Sequence, residues 1–75
     1  MRYRAKRKYI RYGHSNNIVL WACRENDIID VEHISGSDLV KIINCREDQL
    51  GVFNDMFLNI DDISDFKDKY LLEIK

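Results

Sequence analysis

The sequence predicts a small β-rich α+β domain: an antiparallel meander or a small barrel of five or six strands, with one short helix at about residues 61–70. Three observations point there. Polar breaks recur roughly every ten residues, at His14-Ser15-Asn16-Asn17, Glu25-Asn26-Asp27 and Ser35-Gly36-Ser37-Asp38. The runs between them are rich in β-branched and aromatic residues. Only the stretch from Asp61 to Tyr70 combines a helical period with acids at its start and lysines at its end. A chain of 75 residues has material for one core, so residues 1–75 are read as a single domain. It has no proline, and its three glycines, Gly13, Gly36 and Gly51, are far apart, so no linker or low-complexity segment interrupts it.

The first run, from Arg2 to Tyr12, places Tyr3, Ala5, Arg7, Tyr9 and Arg11 on one face of a strand. Arg2, Arg4, Lys6, Lys8, Ile10 and Tyr12 take the other. Ile18 to Cys23 is apolar on both faces, as a strand covered on two sides is, and is expected to anchor the core. Ile28 to Ile34 alternates, with Ile29, Val31 and His33 on one side. Leu39, Val40, Ile42 and Ile43 fit either a strand or a short helix capped by Ser37, and their β-branched content favours the strand. Leu50–Phe53 and Met56–Ile60 flank Asn54-Asp55, a pair that tolerates left-handed backbone, which predicts a tight hairpin. In the helix, Asp61 or Asp62 is the expected cap, and Ile63, Phe66 and Tyr70 share one face. Leu72 and Ile74 then form a short closing strand.

Charge is divided unevenly along the chain. Arg2, Arg4, Lys6, Arg7, Lys8, Arg11 and Arg24 give the first 24 residues +7 with no acid, while the remaining 51 hold all 13 acids against five cations, a balance of −8. The formal net charge of −1 hides this polarity, which points to a charged macromolecular partner.

Several chemistries are excluded or left without support. The longest apolar run, Ile18 to Cys23, has six residues and no cleavage site behind it, so the chain is read as unprocessed and cytoplasmic, with no membrane partner. Cys23 and Cys45 are too few for a disulfide framework and are expected as reduced, partly buried thiols. With His14 and His33 they run His, Cys, His, Cys at gaps of 9, 10 and 12, which matches no zinc spacing. The acids of the helix do not form a calcium loop, because Phe66 stands where the loop glycine belongs. Glu73-Ile74-Lys75 has the Glu-x-Lys form of a nuclease element but lacks the surrounding βαβ context, and is read as coincidence. His14 is placed in an exposed turn and His33 as a partly buried, hydrogen-bonded imidazole. No metal or cofactor is expected, and no enzymatic activity.

Two binding readings remain. In the first, Asp55, Asp61, Asp62, Asp65 and Asp68 mimic phosphates and occupy the basic groove of a larger, nucleic-acid-processing protein, with Phe57 and Trp21 as apolar anchors. Non-catalytic inhibitors carried by phages and other mobile elements would be of this kind. Its plain counterpart is a solvated, well-capped helix face. In the second, Arg2, Arg4, Lys6, Lys8 and Arg11 bind the phosphates of RNA or single-stranded DNA while Tyr9 and Tyr12 stack under bases. The counterpart there is cross-strand pairing of those cations with Asp30, Glu32 or the C-terminal acids. Lys6-Arg7-Lys8 also has the composition of a nuclear import signal, on only three residues. A third reading is a homo-oligomer in which one copy's basic strand meets another's acidic half.

Overall fold

The polar breaks end strands where the sequence places them, and the chain between them crosses twice from one sheet to another. A computed structural model describes residues 1–15 and 17–74. Asn16 of the first turn and Lys75 of the Glu-x-Lys stretch lie outside the described residues. The elements are β1 (Arg2–Ala5), β2 (Tyr9–Tyr12), β3 (Val19–Cys23), β4 (Ile28–His33), β5 (Leu39–Asn44), β6 (Asp55–Asn59), α1 (Ile60–Tyr70) and β7 (Leu71–Glu73). An antiparallel sheet of five strands runs β6-β5-β4-β1-β7, and β2 and β3 form a second sheet of two.

The β-rich α+β class, with antiparallel sheet and one short helix near the C-terminus, is as predicted; the barrel alternative does not form. Among the described residues seven strands form two antiparallel sheets that do not close into a barrel. The cause is a pair of corners. The single N-terminal strand expected from Arg2 to Tyr12 breaks at Lys6–Lys8, where the chain leaves the large sheet for the small one, and Arg24–Asp27 brings it back. The corners are tied together by Ala5 N donating to Asp27 O at 2.9 Å and Asn26 N donating to Ala5 O at 2.8 Å. Asn26 holds φ 76°, the left-handed conformation that asparagine tolerates better than most residues. The meander is likewise partial. It holds for β4, β5 and β6, but β1 inserts between β4 and β7.

Alternation then sorts the side chains. The registers Tyr3↔Ile29, Val31↔Ile42 and Ile42↔Met56 align inward residues in adjacent columns. Tyr3, Ala5, Ile29, Val31, Val40, Ile42, Met56 and Leu71 are buried, covered by Trp21 and Cys23 of β3 and Phe66 of α1. Residues 39–44 are a strand, as their β-branched content favours.

β3 is the most enclosed strand of the small sheet, with Trp21, Ala22 and Cys23 all buried. Trp21 and Cys23 enter the core, Ala22 on the other face is also buried, and the segment after β5 runs along the strand's free edge. This segment replaces the hairpin expected about Asn54-Asp55. Val52 N and Phe53 N donate to Val19 O and Leu20 O, both at 2.9 Å, and the Asn54 carbonyl accepts from Asn44 N at 2.9 Å and from Trp21 Nε1 at 2.8 Å. The open edge of β3 thus finds a partner that a local hairpin would have denied it.

The helix begins at Ile60 rather than Asp61, and its cap is Asn59, whose side chain accepts from Asp61 N at 3.0 Å. Ile63, Phe66 and Tyr70 face the sheet as expected. The closing strand starts one residue early, so Leu71 points inward while Leu72 and Ile74 are exposed.

Candidate functional site

The helix collects four of the five candidate acids. Phe66, Tyr70 and Ile63 fix its inward face, and at 100° per residue Asp61, Asp65 and Asp68 then lie in one outward stripe. Steps of four and three residues separate them by about 6 Å and about 4.5 Å along the axis. Asp62 flanks the stripe, at the edge of a shallow groove shared with Leu58, Lys69 and Tyr70. Of the helix's two lysines, one pairs with the middle acid of the stripe and the other turns inward. Lys69 is 3.2 Å from Asp65, and Lys67 turns toward the sheet with its Nζ 5.3 Å from the centre of the Tyr3 ring.

Asp55 and Phe57 do not join this stripe. Met56 and Leu58 face the core under α1, so the alternating Asp55 and Phe57 project from the opposite face of the sheet. There Asp55 lies 3.7 Å from Lys41, and Phe57 is 45% exposed. Trp21, expected as a second exposed anchor, is 1% exposed. Its place in the core and its indole bond to the Asn54 carbonyl remove it from any surface.

The candidate cations are dispersed. Arg2 and Arg4 project from the outer face of β1, since Tyr3 and Ala5 take the inner one. Lys6 donates to the Asp68 carbonyl at the C-terminal end of α1, where the helix dipole favours a positive charge. Lys8 and Arg24 rim a groove floored by Ile10, Val19 and Leu50. Arg11 donates to the Phe57 carbonyl at 3.3 Å, beside the free edge of β6. Tyr9 is half-buried, its ring edge-on to Phe66 at 5.2 Å and to Tyr70 at 4.8 Å, and burial pushes its hydroxyl pKa up. Tyr12 is 51% exposed.

Cross-strand neutralisation of the basic segment is not what forms. Among the described residues, ion pairs involve the Met1 amino group, Lys41, Arg46 and Lys69, and none of the seven side-chain cations of the first 24 residues. Arg2 stands opposite Asp30 in register, yet Asp30 pairs with the Met1 amino group at 3.6 Å.

No known protein family, curated protein or solved structure matches the chain. What its surface can do follows from the groups it presents. Cys23 is buried and its thiol is pushed up to about 11 by that burial, which suppresses the nucleophilic thiolate, while Cys45 is exposed. His33 is exposed rather than partly buried, and its Nε2 lies 2.9 Å from the Ser37 carbonyl in the β4–β5 turn. His14 is exposed. Among the described residues no cluster of three or more His, Cys, Asp or Glu is placed to hold a metal, and no helix is long and apolar enough to cross a membrane.

A polar network that sequence spacing did not reveal ties the β3–β4 corner to the segment after β5. Arg46 grips Asp48 through Nε at 3.1 Å and Nη2 at 2.6 Å and reaches Asp27 with Nη1 at 3.3 Å. The fork raises the Arg46 pKa and lowers that of Asp48. Buried Asn44 completes it, donating Nδ2 to the Ala22 carbonyl at 2.8 Å and to Asp27 at 3.3 Å and accepting from Arg46 N at 3.1 Å.

Proposed function

We propose that this chain is a non-catalytic binding module that docks the outward face of α1 onto a basic groove of a larger, nucleic-acid-processing protein. The observation that carries this reading is the stripe Asp61, Asp65 and Asp68, flanked by Asp62, with Lys67 turned inward onto Tyr3. Its spacing of about 4.5–6 Å is of the order of the 3.4 Å between charges along one strand of a duplex. Preformed carboxylates of this kind act chiefly on encounter, raising association rates that fall with salt. The apolar neighbour of the stripe is exposed Ile60, not Phe57. The buried Cys23 and the turn-bound His33 support a non-catalytic role. An inhibitor carried by a phage or other mobile element is the form of this module that its small size and polarity fit best.

The test is a pull-down from a nuclease-treated host lysate, followed by association kinetics with the captured partner. Asp61, Asp62 and Asp65 replaced together by Lys should slow association at least about tenfold at low salt. The same three replaced by Asn separate charge loss from charge reversal. Unchanged kinetics in both variants would remove the acidic face from the binding.

One observation favours the second reading, direct binding of RNA or single-stranded DNA: the seven N-terminal cations hold no ion pair among the described residues. A fluorescent oligonucleotide titrated at low and near-physiological salt decides it. Contacts to several phosphates give a steep linear loss of log affinity with log salt, abolished by Lys6→Glu with Lys8→Glu, whereas a phosphate mimic binds at neither salt.

A further inference from the structure

The face of the five-stranded sheet opposite α1 is bare. Its inner face is covered by β2, β3 and the helix, but among the described residues no element packs over the outer one. A one-sided antiparallel sheet ordinarily turns polar residues to water, yet Ile28, Ile43, Leu39, Phe57 and Leu72 hold outward positions here. Leu72 is 55% exposed, and Ile74 beyond it is also exposed. Ile28 and Ile43 are diagonal neighbours on β4 and β5, and Leu72 and Ile74 follow one another along one edge, so the face offers two small apolar clusters separated by the Arg2 and Arg4 column.

The charges on this face indicate what covers it. On β1 stand Arg2 and Arg4, without ion pairs among the described residues; the next strand, β4, turns Asp30 and Glu32 outward. A two-fold axis lying between these strands matches Arg2 of each copy with Asp30 of the other, an acid that also lies 3.6 Å from its own Met1 amino group. We infer that this outer face is the isologous contact of a homodimer, in which β1 of one copy lies over β4 of the other. Arg2 then faces Asp30 of the partner subunit, and Arg4 lies over Ile28 of the partner subunit. The same rotation lays β7 over β5, so Ile74 meets Ile43 of the partner subunit and Leu72 meets Cys45 of the partner subunit. The strands sharing the contact span about 19 Å, and two to three outward rows span roughly 14–20 Å. That is about 300–400 Å² of projected area per copy, below the usual 800 Å² of a stable interface, so the dimer is weak and concentration-dependent. Because α1 lies on the other side of the sheet, this contact does not depend on the acidic-face reading and leaves both helices free.

Sedimentation equilibrium from about 10 μM to about 1 mM brackets an interface of this size. The mass should rise from monomer toward dimer, and less so at high salt. Leu72→Lys, at an exposed position, should keep the chain monomeric throughout with an unchanged melting curve. Arg2→Asp and Asp30→Arg should each weaken self-association at least about tenfold. The decisive arm mixes those two variants. Each brings the charges the other lacks, so they should form a mixed dimer at concentrations where neither dimerises alone, which no effect within one chain produces. A monomer at every concentration, a dimer indifferent to Leu72→Lys, or two variants that stay monomeric when mixed would each overturn the inference.

Discussion

Replacing Gly51 by Ala should unfasten the cover of β3. A Cβ built at this position lies 2.8 Å from both the carbonyl carbon and oxygen of Leu20 and 2.9 Å from the Trp21 Cα. All three are backbone atoms of a strand whose other face is packed into the core, so no flexible side chain can yield. The segment carrying Gly51 has to lift instead. Overpacking at such a contact costs about 1–3 kcal/mol. Lifting also strains the bonds from Val52 N to Val19 O and from Phe53 N to Leu20 O, each worth about 1 kcal/mol. The total of about 2–4 kcal/mol corresponds to a fall in Tm of roughly 10–25 °C for a domain of this size. Urea unfolding followed by Trp21 fluorescence measures it, since the indole is buried and bonded to Asn54 in the same segment. A Gly51→Ala variant within about 0.5 kcal/mol of the parent would show that the close approach of this segment to β3 is wrong.

Other consequences follow from single groups. Asn44→Ala strands the Ala22 carbonyl and Arg46 N–H and should cost about 2–4 kcal/mol in the same unfolding experiment. Asn59→Ala removes the α1 cap and should cost about 1 kcal/mol, whereas Asp62→Ala, which caps nothing, should cost less. In the folded chain Cys45 should react with a thiol reagent at neutral pH while Cys23 reacts only after denaturant is added, giving one thiol and then two. The Cys23 thiol has its pKa raised from 9.0 to about 11 in the folded state, so the unfolded chain loses that proton first. Stability should therefore be intact below pH 9 and fall as the pH rises toward 11, with a shallower fall in Cys23→Ala; Tyr9, whose pKa burial also raises, contributes in the same direction.

Most of the strand pattern was legible because it rests on local chemistry. The break at Ser35–Asp38 contains Gly36, which adopts φ 78°, and the alternation of Ile29 and Val31 survives intact as an inward column. What the sequence hid depends on pairing at a distance. Nothing local marks Lys6–Lys8 as a corner, because the break exists to let β1 pair with β4 and β7 while β2 pairs with β3. Nor does the polar Asn54-Asp55 pair show that Val52 and Phe53 will serve the edge of β3. The site divides the same way. Helical spacing alone brings Asp61, Asp62, Asp65 and Asp68 together, but the strand phase that sends Asp55 and Phe57 to the opposite side is set by which face of β6 meets the core. Asn59 carried a readable signal, an asparagine just ahead of an acidic first turn. Lys67 over Tyr3 and the Arg46 fork carried none, since both join residues brought near only by the fold.

The most direct test of the acidic docking face is the association rate of the captured partner with the chain in which Asp61, Asp62, Asp65 and Asp68 are all Asn, measured against salt. The parent should associate fast at low salt and slow steeply as salt is added, and the amide variant should be slow and nearly flat. Parallel salt dependences for the two chains, with equal rates at low salt, would contradict the claim.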